Sequence, residues 1–459
     1  MRRPNLFGTD GMRGTFGQPP LDPSTIRRLG AALGARLASA SGDPPLLVLG
    51  GDTRDSTPSL CCWLAAEIQA RGTDVLYLGT VTTPGVTSTV IRTGAACGIA
   101  VSASHNPHPD NGVKLIDSAG FKWAAEDEVR LEDDMDGITL AGSPIDDQAC
   151  DAGLEINHDA LGAYLASLTA SVAEVDGGGD GRSLAGLRIA LDLGHGAASP
   201  FGRRLFEELG AEVVVVNDKP DGTNINQGCG STYPDVVAAL VREHRCDLGF
   251  SFDGDADRVV MADERGEVRD GDAILYLWAL DLQARGALPG DAIVATSMSN
   301  LGLETALRQR GIELVRCDVG DREVVSTLRR RGLRLGGEQS GHIINLGLST
   351  TGDGLLTALH LASLRARSGR PVSELLVGFE RFPQLLRSLR VARKPDLDSL
   401  PAVSEAKRSV DQALEGEGRL VLRYSGTEPK VRIMIEGRDR DRIHALADGL
   451  ETVLMKELA

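Results

Sequence analysis

The sequence predicts an α/β protein with three similar α/β domains followed by a smaller α+β C-terminal domain. One pattern occurs three times: an apolar strand, a turn, a helix, a glycine and a second strand. The first strands lie at 46–49, 187–191 and 293–295, and the second at 74–78, 212–216 and 313–315. The runs lack clean alternation, as expected for parallel strands buried on both faces. With 459 residues the chain is also too long for one ordinary core.

Two glycine-rich or polar segments, Asp176–Gly181 and Ala366–Pro371, predict links between domains. Beyond the second link, strands are expected at 420–423 and 431–435, and a closing helix at 439–458. The predicted domains are 1–155, 156–258, 259–368 and 369–459. The acidic stretch 125–136 predicts a solvated helix or loop face.

Composition excludes several classes of function. A net charge of −16 and an aromatic content of 4% argue against a nucleic-acid partner, because the backbone would be repelled and few rings could stack on bases. No apolar run reaches membrane-spanning length, so no membrane partner is expected. The seven cysteines are scattered without a C-x-x-C pair. Reduced thiols and a cytoplasmic location are therefore predicted.

Ser104 is the candidate nucleophile. It lies among small residues in the serine loop, Val101–Pro107, beside His105 and shortly before Lys114. An alcohol next to an imidazole and a cation suits a covalent phosphoryl group. The alternative is a turn or N-cap serine. A hydrolase triad is not supported, because the Gly-x-Ser-x-Gly elbow is missing.

Three carboxylates alternate in the acidic loop, Asp253–Arg258: Asp253, Asp255 and Asp257. Their mutual repulsion predicts a bound divalent cation, and Mg²⁺ is preferred, with a phosphate oxygen on Ser104 completing its shell. An EF-hand fails because its sixth position, which should be glycine, is Arg258. A phosphatase that uses Asp253 itself as nucleophile stays open.

Two further turns are suited to a sugar phosphate. The glycine-rich loop, Gly336–His342, carries Glu338, Ser340 and His342, which can bind sugar hydroxyls; the alternative is an ordinary turn. The second turn predicts an anion clamp formed by Arg423, Ser425, Gly426, Thr427 and Arg432. Its alternative is a surface hairpin. A nucleophile, a metal site and an anion clamp together indicate phosphoryl transfer.

With these motifs, the chain resembles the α-D-phosphohexomutases along essentially its whole length. The matching segments are 7–14, 103–107, 253–258, 337–342 and 423–429. The resemblance implies four domains around a central cleft, a phosphoserine, Mg²⁺, and interconversion of sugar 1- and 6-phosphates. Within the family, Gln339 and the segments 220–226 and 229–232 are most similar to the phosphoglucosamine mutase branch. Segments 82–84 and 194–197 depart from the family pattern and are expected to lie apart from the chemistry.

The resemblance further implies a phosphorylated Ser104 in the resting enzyme, with Arg13, His105, Lys114 and Arg258 as charged neighbours. The expected substrate is a hexosamine phosphate whose product feeds UDP-N-acetylglucosamine synthesis; the donor that first phosphorylates the serine is unknown. His105, Lys114 and His342 all remain candidates for the general base. The alternatives are a phosphomannomutase/phosphoglucomutase within the family, and a Mg²⁺-dependent sugar phosphatase or sugar-phosphate sensor outside it.

Overall fold

A computed structural model describes residues 5–8, 10–38, 44–140, 154–175, 182–425 and 429–458. These residues form four β-sheets in chain order, with helices packed against them. The predicted link at 176–181 lies outside the described residues. The predicted class, three α/β units and a final α+β unit, is confirmed.

The first unit contains a six-stranded sheet of order β1-β2-β6-β5-β3-β4. Its strands are β1 (Phe7–Gly8), β2 (Gly11–Thr15), β3 (Leu46–Gly51), β4 (Asp74–Thr80), β5 (Cys97–Val101) and β6 (Asp110–Asp117). Its helices are α1 (Pro23–Ala38), α2 (Thr57–Gln69), α3 (Thr83–Thr93) and α4 (Ala125–Asp136). Helix α5 (His158–Val175) follows and packs against α3.

The second and third units contain sheets of order β11-β10-β9-β7-β8 and β13-β12-β14-β15. The second comprises β7 (Arg188–Asp192), α6 (Gly202–Glu208), β8 (Glu212–Val216), α7 (Asp235–His244), β9 (Leu248–Phe252), β10 (Val259–Asp263) and β11 (Val268–Arg269). The third comprises α8 (Gly271–Ala284), β12 (Ala292–Thr296), α9 (Leu301–Gln309), β13 (Glu313–Cys317), α10 (Asp321–Arg331), β14 (Leu335–Gly337), β15 (Ile343–Asn345), α11 (Gly354–Ser368) and α12 (Val372–Leu375).

The three units share a common arrangement of strands. In each, a central strand (β3, β7 or β12) pairs in parallel with two neighbours, one of which is β5, β9 or β14. That neighbour then pairs antiparallel with the following strand: β6, β10 or β15. Because β5, β9 and β14 hold equivalent positions, the loops that follow them are equivalent too.

The fourth unit is a three-stranded antiparallel sheet, order β16-β18-β17, with two helices. It comprises β16 (Gln384–Arg390), α13 (Pro401–Ala413), β17 (Gly418–Tyr424), β18 (Lys430–Gly437) and α14 (Arg440–Leu458). Ile443, Ala447, Leu450 and Leu454 lie on one face of α14 and are buried. Their spacing of three and four residues is that of an amphipathic helix packed on a core.

The expected link at 366–371 is the end of a helix and a turn. Helix α11 continues to Ser368, and Gly369 ends it in a left-handed conformation. Val372 and Leu376 then pack in the same core as Tyr276. The segment is therefore anchored on both sides, and its small and polar residues reflect a helix cap.

The acidic helix α4 differs from the expected solvated face. Its residues Glu128 and Glu132 are buried. Glu132 accepts hydrogen bonds from the backbone N–H groups of Leu6 (2.7 Å) and Phe7 (3.2 Å). Glu128 forms an ion pair with Arg322 of α10. Two of its carboxylates thus hold the N-terminal strand and join the first unit to the third.

Of the six cysteines among the described residues, five follow the expectation. Cys61, Cys97, Cys229, Cys246 and Cys317 are free, whereas Cys62 is disulfide-bonded. The prediction of reduced thiols is therefore wrong for Cys62. No helix in the described part of the chain is both long and apolar enough to cross a membrane.

A buried carboxylate joins the third unit to the fourth. Glu436 of β18 is fully buried and accepts hydrogen bonds from Arg419 Nε (2.6 Å), Gln384 Nε2 (2.8 Å), Asn300 Nδ2 (3.2 Å) and the Leu301 N–H (3.2 Å). Asn300 also caps α9. One carboxylate thus satisfies donors from both units, so losing its charge leaves several buried donors poorly paired.

We expect Glu436→Gln to lower the free energy of unfolding by about 2–3 kcal/mol, because Arg419 loses a charge-assisted partner. Urea unfolding monitored by tryptophan fluorescence and circular dichroism measures the change. Glu405→Gln is the control, because the Glu405–Arg408 pair is exposed and should contribute less than about 1 kcal/mol. Equal stability of the two variants would show that the Glu436 cluster does not hold the fourth unit.

Candidate active site

The serine loop with the predicted nucleophile follows β5, the acidic loop follows β9, and the glycine-rich loop extends beyond β14. Ser104 follows β5, Asp253 directly follows β9, and Glu338 directly follows β14. The carboxyl ends of parallel strands are where α/β sheets bind ligands. The same place in each repeat therefore supplies a different chemical group to one site.

Ser104 is fully buried and directed at the acidic loop. Its Oγ donates a hydrogen bond to Asp253 Oδ2 (2.5 Å), and His105 Nδ1 lies 3.3 Å from the same oxygen. The serine backbone has φ of 53°, in the left-handed region. Such a conformation is uncommon for a residue with a side chain and persists only where neighbours hold it.

The three carboxylates of the acidic loop converge. Asp253, Asp255 and Asp257 are buried, and each offers an oxygen within 4.8 Å of the others. Lys114 Nζ contacts Asp255 Oδ2 (2.7 Å) and Asp257 Oδ2 (3.3 Å). Thr83 Oγ1 donates to Asp255 Oδ2 at 2.5 Å. The segment 82–84 was expected to lie apart from the chemistry, and that expectation is wrong.

The electrostatics of the loop follow from burying like charges together. Burial raises the pKa of Asp253 well above its usual range, and repulsion from Asp257 and Asp255 raises it further. Burial would also raise the pKa of Asp257, but Lys114 and His342 hold it well below its usual range. Burial lowers the pKa of Lys114, yet Asp10 and Asp255 raise it well above its usual range.

The donor set fits a hard divalent cation. Asp255 Oδ1 and Asp257 Oδ1 are buried and have no hydrogen-bond partner within the described residues. Asp253 Oδ1 accepts only the Arg258 N–H (3.1 Å) among the described contacts. Buried carboxylate oxygens without donors are costly unless a cation binds them. The residues present could therefore hold a metal ion through oxygen ligands.

A network of ion pairs surrounds Lys114, and the sequence motifs contain only some of its members. Asp10 forms ion pairs with Arg13, Lys114 and Lys122, and Lys122 also pairs with Asp321 of α10. Arg13 Nη1 donates to the Ala103 carbonyl (3.2 Å), beside the nucleophile. Asp10 lies in segment 7–14, which matches the family pattern, whereas Lys122 and Asp321 belong to no motif.

Arg258 and three residues of the glycine-rich loop face one cavity. The cavity measures about 520 Å³ and is lined in part by Arg258, Glu338, Gln339, Ser340, Asp270 and Arg381. Glu338 accepts hydrogen bonds from the Gly320 N–H (3.1 Å) and Ser340 Oγ (3.2 Å). Burial would lower the pKa of Arg258, but Asp257 and Asp253 raise it. The cavity thus presents the Arg258 guanidinium beside the Glu338 carboxylate and the Ser340 hydroxyl, with Asp270 and Arg381 also on its wall.

His342, the third predicted sugar ligand, lies behind the acidic loop. It is buried, its Nδ1 lies 3.7 Å from Asp257 Oδ2, and its Nε2 accepts the Gly352 N–H (3.2 Å). It is not among the described residues that line the cavity with Glu338. Its position favours orienting Asp257 over touching a sugar. Gln339 lines the cavity, and its side-chain Nε2 donates a hydrogen bond to Asp272 Oδ2 (3.3 Å).

The predicted anion clamp lies at one end of the fourth sheet. Arg423 of β17 is directly opposite Arg432 of β18, so both side chains project from the same face. Ser425 is buried; its N–H donates to the Lys430 carbonyl (2.8 Å), and its own carbonyl accepts from Lys394 Nζ (2.7 Å). Gly426 and Thr427 lie outside the described residues. Opposed arginines repel unless an anion binds near them.

The segment 194–197 supports the acidic loop directly, contrary to expectation. The Ala197 N–H donates to the Gly254 carbonyl (2.8 Å). A Cβ added at Gly196 would stand 2.6 Å from that same carbonyl oxygen, so only glycine fits there. The loop's backbone is therefore held by a neighbouring turn of the second unit, a contact that no local pattern announces.

Models of one family match four consecutive parts of the chain. They are described as phosphoglucomutase/phosphomannomutase α/β/α domains I, II and III and the C-terminal domain, matching residues 4–141, 163–266, 270–382 and 386–453, respectively. Together they span most of the sequence in one order.

Named relatives and solved structures agree with the family models. The phosphoglucosamine mutases of Symbiobacterium thermophilum and Desulfovibrio desulfuricans are 43% and 42% identical, covering 99% of this chain and 100% and 99% of their own. A phosphoglucomutase/phosphomannomutase family protein from Burkholderia thailandensis has a TM-score of 0.77 at 24% identity, covering 98% of this chain and 96% of its own. The chain belongs to the phosphoglucomutase/phosphomannomutase family.

Proposed function

We propose that this enzyme is a phosphoglucosamine mutase, which interconverts glucosamine 6-phosphate and glucosamine 1-phosphate. The observation that carries the proposal is the contact of Ser104 Oγ with Asp253 inside a trio of buried carboxylates. A phosphoryl group on that oxygen would lie at the cation site, as phosphoryl transfer requires. The choice of sugar rests on the relatives, which are phosphoglucosamine mutases at about 40% identity over their full length.

The reaction proceeds through two transfers. The phosphoryl group on Ser104 passes to the C1 hydroxyl of glucosamine 6-phosphate; the phosphorus–Oγ bond breaks, and the hydroxyl loses its proton. The resulting glucosamine 1,6-bisphosphate turns around in the site. Its 6-phosphoryl group then passes to Ser104 Oγ, which releases glucosamine 1-phosphate and restores the phosphoserine.

The cation for the acidic loop is Mg²⁺, because hard carboxylate oxygens are its preferred ligands and phosphate oxygens complete its shell. When bound, it neutralises charge that develops on the transferred group. Asp253, Asp255 and Asp257 would hold it, and Lys114 and Arg258 supply further positive charge beside the carboxylates of Asp255 and Asp257, respectively.

Geometry ranks the candidates for moving the substrate proton. His105 Nδ1 lies 3.3 Å from Ser104 Oγ, and burial, together with Arg258 and Arg13, lowers the pKa of this imidazole. A neutral imidazole at that distance can accept a proton. Lys114 is held as an ammonium by carboxylates, and His342 lies behind Asp257. We therefore propose that His105 accepts the proton of the substrate hydroxyl, and that Lys114 and His342 have electrostatic roles.

The fourth unit holds the phosphate that is not transferred. Arg423 and Arg432 can bind its oxygens with their planar guanidinium groups, each through two N–H donors. Glu338 and Ser340 bind the sugar between the two phosphate sites. The bisphosphate presents either end to Ser104 because both of its ends carry the same group.

Ser104→Ala should lower kcat by at least about 1,000-fold with little change in melting temperature, because only this oxygen carries the transferred group. A coupled assay for glucosamine 1-phosphate measures turnover. Ser404→Ala is the control, since it removes a serine hydroxyl that donates to the Asp398 carbonyl in the fourth unit, away from the serine loop. Near-normal turnover by Ser104→Ala would instead favour Asp253 as the nucleophile.

Asp255→Asn should raise the dissociation constant for Mg²⁺ by at least about 10-fold, because one of three charges is removed. The rise in melting temperature with added MgCl₂, at constant ionic strength, measures binding without reference to turnover. Asp281→Asn is the control, because that carboxylate pairs with Arg285 and Arg367 away from the acidic loop. Full activity of chelator-treated wild-type enzyme without added cation would refute the metal role.

The enzyme should prefer glucosamine 6-phosphate to glucose or mannose 6-phosphate by about 10-fold in kcat/KM, the ratio that about 1.4 kcal/mol gives. The reason is that the C2 ammonium gains more from the Glu338 carboxylate than a hydroxyl does. Competition among the three phosphates in one reaction measures the preference. Glu338→Gln should narrow it, whereas Ser340→Ala should slow all three substrates alike. Equal rates in the wild type would favour the phosphomannomutase/phosphoglucomutase alternative.

A further inference from the structure

An arginine buried beneath the serine loop binds three of the loop's carbonyl groups. Arg54 Nη2 donates to the carbonyls of Ser104 (3.1 Å) and Asn106 (2.8 Å), and Nη1 donates to that of Pro107 (2.6 Å). Its Nε pairs with Asp52 Oδ2 at 3.0 Å, and both side chains are fully buried. A planar guanidinium can serve these acceptors at once, which an ammonium cannot.

An asparagine from the second unit binds the same two carbonyls from another direction. Asn226 Nδ2 donates to the Ser104 carbonyl (2.9 Å) and the Asn106 carbonyl (3.2 Å). The residue lies between β8 and α7 and has φ of 58°. The Ser104 carbonyl is thus shared by a donor from the first unit and a donor from the second.

The backbone N–H of the nucleophile is fixed by the same cluster. Ser104 N–H donates to Ser102 Oγ (2.9 Å), and Ser102 Oγ donates to Asp52 Oδ2 (2.6 Å). Asp52 is the partner of Arg54. Both polar groups of the Ser104 backbone therefore depend on one buried ion pair.

This cluster accounts for the left-handed backbone of Ser104. A φ of 53° is unfavourable for a residue with a Cβ, so surrounding contacts must compensate for it. In that conformation Oγ reaches Asp253 Oδ2 at 2.5 Å. If the Ser104 carbonyl lost the hydrogen bonds from Arg54 and Asn226, the backbone could relax from its left-handed conformation. Ser104 Oγ would then move away from Asp253.

We propose that Arg54 and Asn226 are positioning residues that hold the Ser104 backbone so that its Oγ stays at the cation site. Neither touches the reacting atoms; both act through the Ser104 carbonyl. The kinetic consequence rests on the proposed mutase function, whereas the structural consequence does not. Asn226 lies in segment 220–226, which is similar to the phosphoglucosamine mutase branch. The positioning role is a physical function for this residue.

Two substitutions test the role. Arg54→Lys keeps the positive charge beside Asp52 but loses the planar fork. Asn226→Gly removes the amide while glycine tolerates the left-handed backbone. We expect kcat to fall about 100-fold for Arg54→Lys and about 10-fold for Asn226→Gly, because small misplacement of a reacting atom is costly. KM should stay within about twofold, since neither residue contacts the sugar cavity.

Hydrogen exchange gives a readout that is independent of turnover. Backbone amides in a peptide covering 102–108 should exchange faster in both variants, while peptides from β17 and β18 should be unchanged. Arg27→Lys is the control for the arginine, because Arg27 pairs with buried Glu67 between α1 and α2. Asn217→Gly is the control for the asparagine, since Asn217 has φ of 53° and binds Asp192 instead.

The outcomes separate this inference from the proposed function. A wild type without glucosamine phosphate turnover refutes the function, and the exchange comparison still decides the positioning role. Variants with wild-type kcat, or with unchanged exchange at 102–108, refute the positioning role and leave the function intact. If Arg54→Lys does not fold, Asn226→Gly and Asn217→Gly decide the question alone.

Discussion

The site depends on the concentration of negative charge in the acidic loop. Three buried carboxylates lie within 4.8 Å of one another, and two of their oxygens accept no hydrogen bond from the described residues. Lys114 and Arg258 offset part of this charge, and the three carboxylates could hold a divalent cation that offsets the rest. Under the proposed mechanism, the same negative charge would disfavour a phosphoryl group on Ser104 unless the cation were bound. Asp10 forms an ion pair with Lys114 and so helps to hold its ammonium group beside the acidic loop.

The repeated architecture explains how so many groups meet. Each α/β unit ends its equivalent strand, β5, β9 or β14, at the same site, and the loop that follows carries the serine, the acids or the sugar-binding residues. The contacts between units then fix the loops against one another: Thr83 on Asp255, and Asn226 on the Ser104 carbonyl. The fourth unit is joined to the third through Glu436, which places the anion clamp relative to the sugar cavity.

Local patterns predicted the three α/β units and singled out Ser104 and the acidic loop, which the structure brings into contact. Strand runs, turn glycines and alternating aspartates are visible in short stretches of sequence. What they could not predict depends on contacts between distant residues. Thr83 and Asp255 are 172 positions apart, and Asn226 and Ser104 are 122 apart. The acidic helix α4 was expected to face solvent, since nothing local reveals that Glu132 binds the N-terminal strand. His342 shares a motif with Glu338, but its Nδ1 lies 3.7 Å from Asp257 Oδ2, a contact with another unit that the motif does not reveal.

The central claim is that Ser104 takes its phosphoryl group from the sugar, and isotope transfer tests it most directly. Purified enzyme should have a mass about 80 Da above that of the sequence. After incubation with glucosamine 6-phosphate that carries ¹⁸O in its non-bridging phosphate oxygens, the mass should rise by a further ~6 Da, because three labelled oxygens move with the phosphorus. Digestion should place the label on the peptide that contains Ser104. Label found only in free phosphate, with the protein at its unmodified mass, would contradict the account and indicate a phosphatase.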